Sequence, residues 1–120
     1  MVLASVRWGG VYRSTNGGAN WSVVRGGQGS FDLKFHPTDG DKAVAHIIDF
    51  DGGAGDWFHE AVYSEDGGAS WNDASGLDKV FGFSSRIELA YAPSDPSIVY
   101  AACGEGGGSI WRSTDGGQSY

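Results

Sequence analysis

The sequence predicts an all-β protein made of repeated antiparallel sheets, and three observations carry that reading. First, three segments align: Val11-Tyr-Arg-Ser-Thr-Asn-Gly-Gly-Ala-Asn-Trp21, Ala61-Val-Tyr-Ser-Glu-Asp-Gly-Gly-Ala-Ser-Trp71 and Ile110-Trp-Arg-Ser-Thr-Asp-Gly-Gly-Gln-Ser-Tyr120. Their serines, Ser14, Ser64 and Ser113, are 50 and 49 positions apart (64 − 14 and 113 − 64). Second, a looser repeat lies between them, Leu33-Lys-Phe-His-Pro-Thr-Asp39 against Leu89-Ala-Tyr-Ala-Pro-Ser-Asp95. Third, the chain holds 21 glycines but only 3 prolines among 120 residues, and no stretch keeps a 3.6-residue apolar period with capping residues. Turns joining short strands account for that glycine content, and helices do not.

Taken in order, residues 2–6 read as a strand, 11–14 as the next and 21–24 as the one after. Phe31, Leu33 and Phe35 alternate with polar residues, the mark of a half-buried strand. The apolar run 43–50 suits a buried strand, and 61–64 is its successor. In the last unit Ile87, Leu89 and Tyr91 alternate, 98–103 is apolar throughout, and 110–113 precedes the third glycine pair. Four short strands in a period of about 50 residues is the arithmetic of a β-propeller blade. The predicted fold is therefore a β-propeller fragment of about two and a half four-stranded antiparallel blades. Residues 1–25 would end one blade, 30–75 form a full blade, and 84–120 form a blade truncated in its last strand. A closed ring of four to eight such blades takes roughly 200–400 residues, so a fragment of a longer protein is the expectation.

The repeated motif has a mechanical reading. A Ser-x-Asp-Gly-Gly turn lets Gly take positive φ while the Ser and Asp side chains bond nearby backbone N–H groups. The Trp at its end can wedge against a neighbouring sheet. These residues resemble the Asp-box, or BNR, repeat of sialidases, xyloglucanase-type glycoside hydrolases, sortilin-like receptors and photosystem assembly factors. The strongest likeness is to the bacterial xyloglucanase-like group, through Ala90-Tyr-Ala-Pro-Ser-Asp-Pro-Ser-Ile-Val-Tyr100 and Ile110-Trp-Arg-Ser-Thr-Asp-Gly-Gly117. It covers essentially the whole chain. The boxes are Ser14, Asn16, Gly17 and Trp21; Ser64, Asp66, Gly67 and Trp71; and Ser113, Asp115, Gly116 and Tyr120. Asn16 and Tyr120 depart from the pattern, and Asn also tolerates a left-handed turn.

The resemblance implies that the boxes lie on one face, while loops joining second to third strands, and one blade to the next, share the other. Those ligand-face loops would be 7–10, 25–30, 49–59, 73–86 and 104–108. The 49–59 stretch carries the densest polar and aromatic cluster, Asp49, Asp51, Asp56, Trp57 and His59, and Trp8 and Arg86 lie on neighbouring loops. An aromatic face beside carboxylates suits sugar rings. Glycoside hydrolysis needs two carboxyls about 5–9.5 Å apart, and Asp56 and Glu105 are the candidates in equivalent loops. The xyloglucanase family has a catalytic Asp just before a Gly-Gly-x-Tyr-Arg stretch. Gly9-Gly-Val-Tyr-Arg13 matches the stretch, yet Arg7 stands near the acid's place and residues 1–13 hold no acid. A sialidase-type site would need Arg7, Arg25 and Arg86 to converge. Asp49, Asp51 and Glu60 mimic positions 1, 3 and 12 of a calcium loop, but Gly53 and Ala54 stand where a ligand and a glycine belong. His36, His46 and His59 have no metal spacing; His36 and His46 are expected in strands as packed or edge residues. Cys103 ends an apolar strand and reads as a buried thiol.

Fifteen acids against 8 Lys and Arg give a net charge of −7, which repels nucleic acid and anionic membranes. One cysteine cannot form an internal disulfide. No apolar run reaches the ~18–20 residues of a spanning helix, and no signal peptide is visible. The sequence thus predicts a non-catalytic fragment of a carbohydrate-associated, glycoside hydrolase-like propeller, from a secreted parent and taking no metal or cofactor. Its partner would be a polysaccharide or glycan. The alternative is a protein-interaction propeller of the sortilin-like or assembly-factor kind.

Overall fold

A computed structural model describes residues 1–77, 80–82, 85–104 and 107–120. Eleven strands are present among them, and no α-helix. The first sheet is β1 (Val2–Val6), β2 (Gly10–Ser14) and β3 (Ser22–Arg25), in that order. The second runs β4 (Leu33–Phe35), β5 (Ala43–Asp51), β6 (Asp56–Ser64) and β7 (Asn72–Asp73), and β8 (Val80–Phe81) also pairs with β6. The third contains β9 (Ile87–Tyr91), β10 (Val99–Cys103) and β11 (Ser109–Ser113), with β10 in the middle. All named pairings are antiparallel and every sheet is open.

Period-2 alternation on the central sheet decides how the sheets stack. Ala43, Ala45, Ile47 and Val62 pack with Leu3 and Val11 of the first sheet. Val44 and Ala61 point the other way and join Ile87, Leu89, Val99 and Ala101 of the third. The central sheet is thus covered on both faces, which is why β5 reads as a continuous apolar run rather than an alternating one. Asp32, buried just ahead of β4, ties the stack together: its Oδ2 accepts the Leu89 N–H at 2.7 Å, and its Oδ1 accepts from Lys34 Nζ.

The three repeated turns are built alike. Ser14, Ser64 and Ser113 are buried, and their hydroxyls accept the N–H of Gly18, Gly68 and Gly117 at 2.8, 2.9 and 2.9 Å. The side-chain oxygens of Asn16, Asp66 and Asp115 accept the N–H of Asn20, Ser70 and Ser119. The second glycine of the middle and last pairs has a further reason beyond its positive φ. A Cβ on Gly68 would stand 2.6 Å from Leu3, and one on Gly117 would stand 2.6 Å from Val44, so these turns press on the preceding sheet.

The structure departs from the sequence reading at several points. The 49–59 stretch is not a loop: β5 runs on to Asp51 and β6 starts at Asp56, leaving a four-residue turn, 52–55. Nine cross-strand pairs, from Ala43↔Ser64 to Asp51↔Asp56, make one long hairpin. Its Gly-Gly-Ala-Gly tip closes by the Gly55 N–H to Asp51 O bond at 2.7 Å. The last turn's Tyr120 and the middle turn's Trp71 pack on neighbouring sheets as expected, whereas Trp21 is 42% exposed and packs in neither core. His36 follows β4 and lies outside any strand.

Candidate functional site

Antiparallel order sends alternate connections to opposite ends of each sheet. The three serine turns lie at one end; the tips 7–9 and 52–55, with Gly104, Gly107 and Gly108, lie at the other. Bridges Arg7↔Gly29 and Gly29↔Ile48 join the tip ends of the first two sheets. This end gathers aromatic side chains. Trp8 is 58% exposed and Phe50 48%; Phe31 and Phe81 are also exposed, and Trp57 is half-buried. Phe50 meets Trp57 edge-on with ring centroids 4.9 Å apart, as cross-strand partners in the hairpin.

Trp8 is held in an unusual way. It is the only non-glycine residue with positive φ, 66°, among the described residues. A bulky side chain there costs about 1–2 kcal/mol. The Arg7 guanidinium lies over its ring, 5.1 Å from the centroid. Arg7, Trp8, Gln28, Phe31 and Ile48 line a small cleft between the first two sheets. On the third sheet an open hollow of about 720 Å³ is lined by Ser85, Arg86, Glu88, Ala102, Cys103 and Ile110.

The acids of the hairpin tip do local work. Asp49 and Asp56 each accept the next residue's N–H, at 2.9 and 2.8 Å. Asp51 Oδ1 accepts the N–H of Gly53 and of Ala54, capping the turn. Asp51 and Asp56 face each other across the end of the hairpin, and Asp56 is exposed. Glu105, the other expected catalytic candidate, lies outside the described residues. The calcium pattern does not assemble, because Glu60 pairs with Arg25 at 2.9 Å and sits opposite Ile47. Arg25 also binds Asp73, and Arg86 pairs with Glu88 at 2.6 Å. Arg7 lies on Trp8, so the three arginines are engaged separately rather than forming one cluster. No group of three metal-ligating side chains occurs among the described residues.

His59 overturns its expected place on the ligand face. It follows the alternation of β6 inward and is fully buried, as is His46 on β5. The two rings stack with centroids 5.0 Å apart and planes within 6°. Since Ile48 is the direct partner of His59 and Ala61 that of His46, the histidines are diagonal neighbours. Their bonds fix both tautomers. The Gly82 carbonyl only accepts, so His59 Nε2–H donates to it at 2.8 Å. His59 Nδ1 therefore accepts from His46 Nε2–H at 2.8 Å, and His46 Nδ1 accepts the Phe31 N–H at 3.3 Å. Burial, and then the neighbouring His59, push His46 from its ordinary 6.5 down to about 3. The sequence reading missed this pair because it placed His59 in a loop. Treating Gly52–Gly55 as a tight hairpin turn would have found it. Cys103 is buried, as expected.

No protein-family model matches this sequence, and a search of curated proteins gives no match.

Proposed function

We propose that the chain forms consecutive blades of an Asp-box β-propeller whose tip end binds carbohydrate without hydrolysing it. The observation that carries the reading is the set of exposed aromatic rings, Trp8, Phe31, Phe50 and Phe81, collected with Asp49, Asp51 and Asp56 at one end. Aromatic planes take the C–H faces of sugars, and carboxylates at their rim accept hydroxyl protons. Three turns with matching bonds, 50 and 49 residues apart, support the Asp-box part of the proposal. Stacking of successive meander sheets through equivalent positions supports the propeller part. A net charge of −7 favours neutral over acidic glycans.

The test is titration of the chain with a panel of neutral and acidic oligosaccharides, followed by intrinsic tryptophan fluorescence and calorimetry. Binding of a neutral oligosaccharide, weakened about tenfold or more in Trp8→Ala with an unchanged melting temperature, is the expected result. A chain that ignores the whole panel but retains extended peptides refutes the carbohydrate reading in favour of a protein-interaction propeller. Release of reducing sugar by the chain, abolished in Asp56→Asn, would refute the non-catalytic part.

A further inference from the structure

The buried histidine pair touches the backbone of two segments that carry exposed rings. His46 holds the N–H of Phe31, over whose ring it also stacks at 5.9 Å. His59 holds the carbonyl of Gly82, the residue after Phe81. Phe31 belongs to the connection between the first and second sheets, and Phe81 to β8, a two-residue strand. Backbone bonds hold each segment on either side of these points, Ile48 N–H to Gly29 O and His46 N–H to Asp32 O around Phe31, and Gly82 N–H to Trp57 O beside Phe81. The imidazoles take up the two groups that this short pairing leaves over, the Phe31 N–H and the Gly82 carbonyl.

We propose that the His46–His59 pair is an acid-operated clasp on the aromatic end: with both rings neutral it fastens the Phe31 and Phe81 segments to the central hairpin, and uptake of a proton unfastens them. The role in ligand binding rests on the carbohydrate reading above; the clasp itself does not. All four ring nitrogens are committed, two as donors and two as acceptors. A proton arriving at His46 Nδ1 displaces the Phe31 N–H. One arriving at His59 Nδ1 sets two N–H groups against each other. Either way one link of the chain breaks, and an imidazolium is left in a site with no exposure to water.

The surrounding charges do not rescue the protonated form. Among the described residues, those acting on His46 are His59 and Arg86, which oppose a proton, and Asp32, which favours one. The Asp32 carboxylate is already shared between Lys34 and the Leu89 N–H, and Arg86 is shared with Glu88. On the sign of the effect, His46 takes up a proton near 6.5 in the unfolded chain and only near 3 in the native one. Stability is therefore complete above pH 6.5 and declines as the pH falls through that interval. For one proton the unfolding constant rises up to about tenfold per pH unit.

Hydrogen exchange followed by NMR, from pH 7.5 to 4.5, tests the clasp directly, with ring ¹⁵N shifts recorded on the same samples. Corrected for intrinsic rates, the Phe31 amide should exchange faster below pH 6.5, by up to about tenfold per unit, ahead of Val44 and Val62 in the core. Both rings should show the neutral Nε2–H form at pH 7.5. In His46→Gln the acceleration should shrink to what His59 alone supplies and in His46→Gln with His59→Gln it should be lost, while His36→Gln should retain it in full. Should His46→Gln fail to fold, the parent's exchange and ring shifts still decide. A native imidazolium signal at pH 6 with the Phe31 amide still protected would overturn the proposal, as would exchange at Phe31 that never departs from that of the core. A chain that opens on acidification yet binds no glycan at pH 7.5 refutes the carbohydrate reading and leaves the clasp standing.

Discussion

Replacing Asp66 by Ala removes a carboxylate that organises the middle turn, and the structure sets the size of the loss. Asp66 accepts the Ser70 N–H at 2.8 Å, the Ser70 hydroxyl at 2.6 Å and the Ser64 hydroxyl at 2.9 Å. Hydrogen bonds from Ser70, side chain first and then backbone, hold its acid group down to about 2 against an ordinary 3.8, so it is ionised at neutral pH. Bonds of this local kind are worth about 0.5–2 kcal/mol when lost at a helix cap, and the exposed position leaves water to replace part of them. A net cost of about 1–2 kcal/mol follows, which lowers the melting temperature of a chain this size by roughly 4–8 °C. Asn16 is the internal comparison: it is neutral and accepts from Ser14 and Asn20, at 3.0 and 2.9 Å. Asn16→Ala should therefore cost about half as much. Calorimetric melting at pH 7 of the parent and both variants measures this. Equal melting temperatures for Asp66→Ala and the parent would refute the role assigned to the turn.

Trp71→Ala should cost about 2–4 kcal/mol by urea unfolding, because the ring packs on the Leu3 and Val11 core between two sheets. Trp21→Ala, at the equivalent but exposed position, should cost less than about 1 kcal/mol. Asp32→Ala strands the buried Leu89 N–H and unpairs Lys34, so a loss of about 3 kcal/mol is expected in the same assay. Strong acid should reveal a second, lower limb of instability. At Asp115 burial pushes the acid group up, but bonds from Ser113, Ser119 and Gln118 prevail, and it too titrates near 2 rather than 3.8. The stabilisation from Asp66 and Asp115 is present above 3.8 and lost as the pH falls towards 2. Asp66→Asn with Asp115→Asn should flatten that limb in pH-dependent melting, leaving the one between pH 6.5 and 4.5 intact.

The strands were legible where local pattern and tertiary burial agree. Val2–Val6 and the apolar runs at 43 and 98 needed only their alternation or continuity, and the glycine turns announced themselves by repetition. The hairpin tip was misread because Gly, Asp and Trp between residues 49 and 59 carry loop chemistry in isolation. The bonds that keep Asp51 and Asp56 in register come from the partner strand. The same misreading put His59 outside. Once the hairpin exists, inward alternation of β6 carries it to the core. Trp8 was expected on a ligand-face loop and is exposed, but its left-handed backbone and its Arg7 cover depend on the Val6–Gly10 turn closing. Phe31 and Phe50 passed as strand residues and Phe81 as part of the 73–86 loop, since an apolar side chain does not reveal whether a neighbouring sheet will cover it.

The tip of the β5–β6 hairpin has one more consequence, for sequence change over time. A Cβ added at Gly52 would meet no other atom within 4 Å, Gly55 alone is fixed as glycine by its φ of 70°, and the turn's bonds run to Asp51. The middle and last seryl turns at the opposite end have no such latitude, because their second glycines press on Leu3 and Val44. The hairpin tip is therefore free to lengthen, whereas two of the three seryl turns are locked to the interior. A library of peptides spliced between Gly52 and Gly55 should be carried without loss of folding, whereas a single alanine at Gly117 should not. The molecule can acquire new specificities at one end while the other keeps the stack in register.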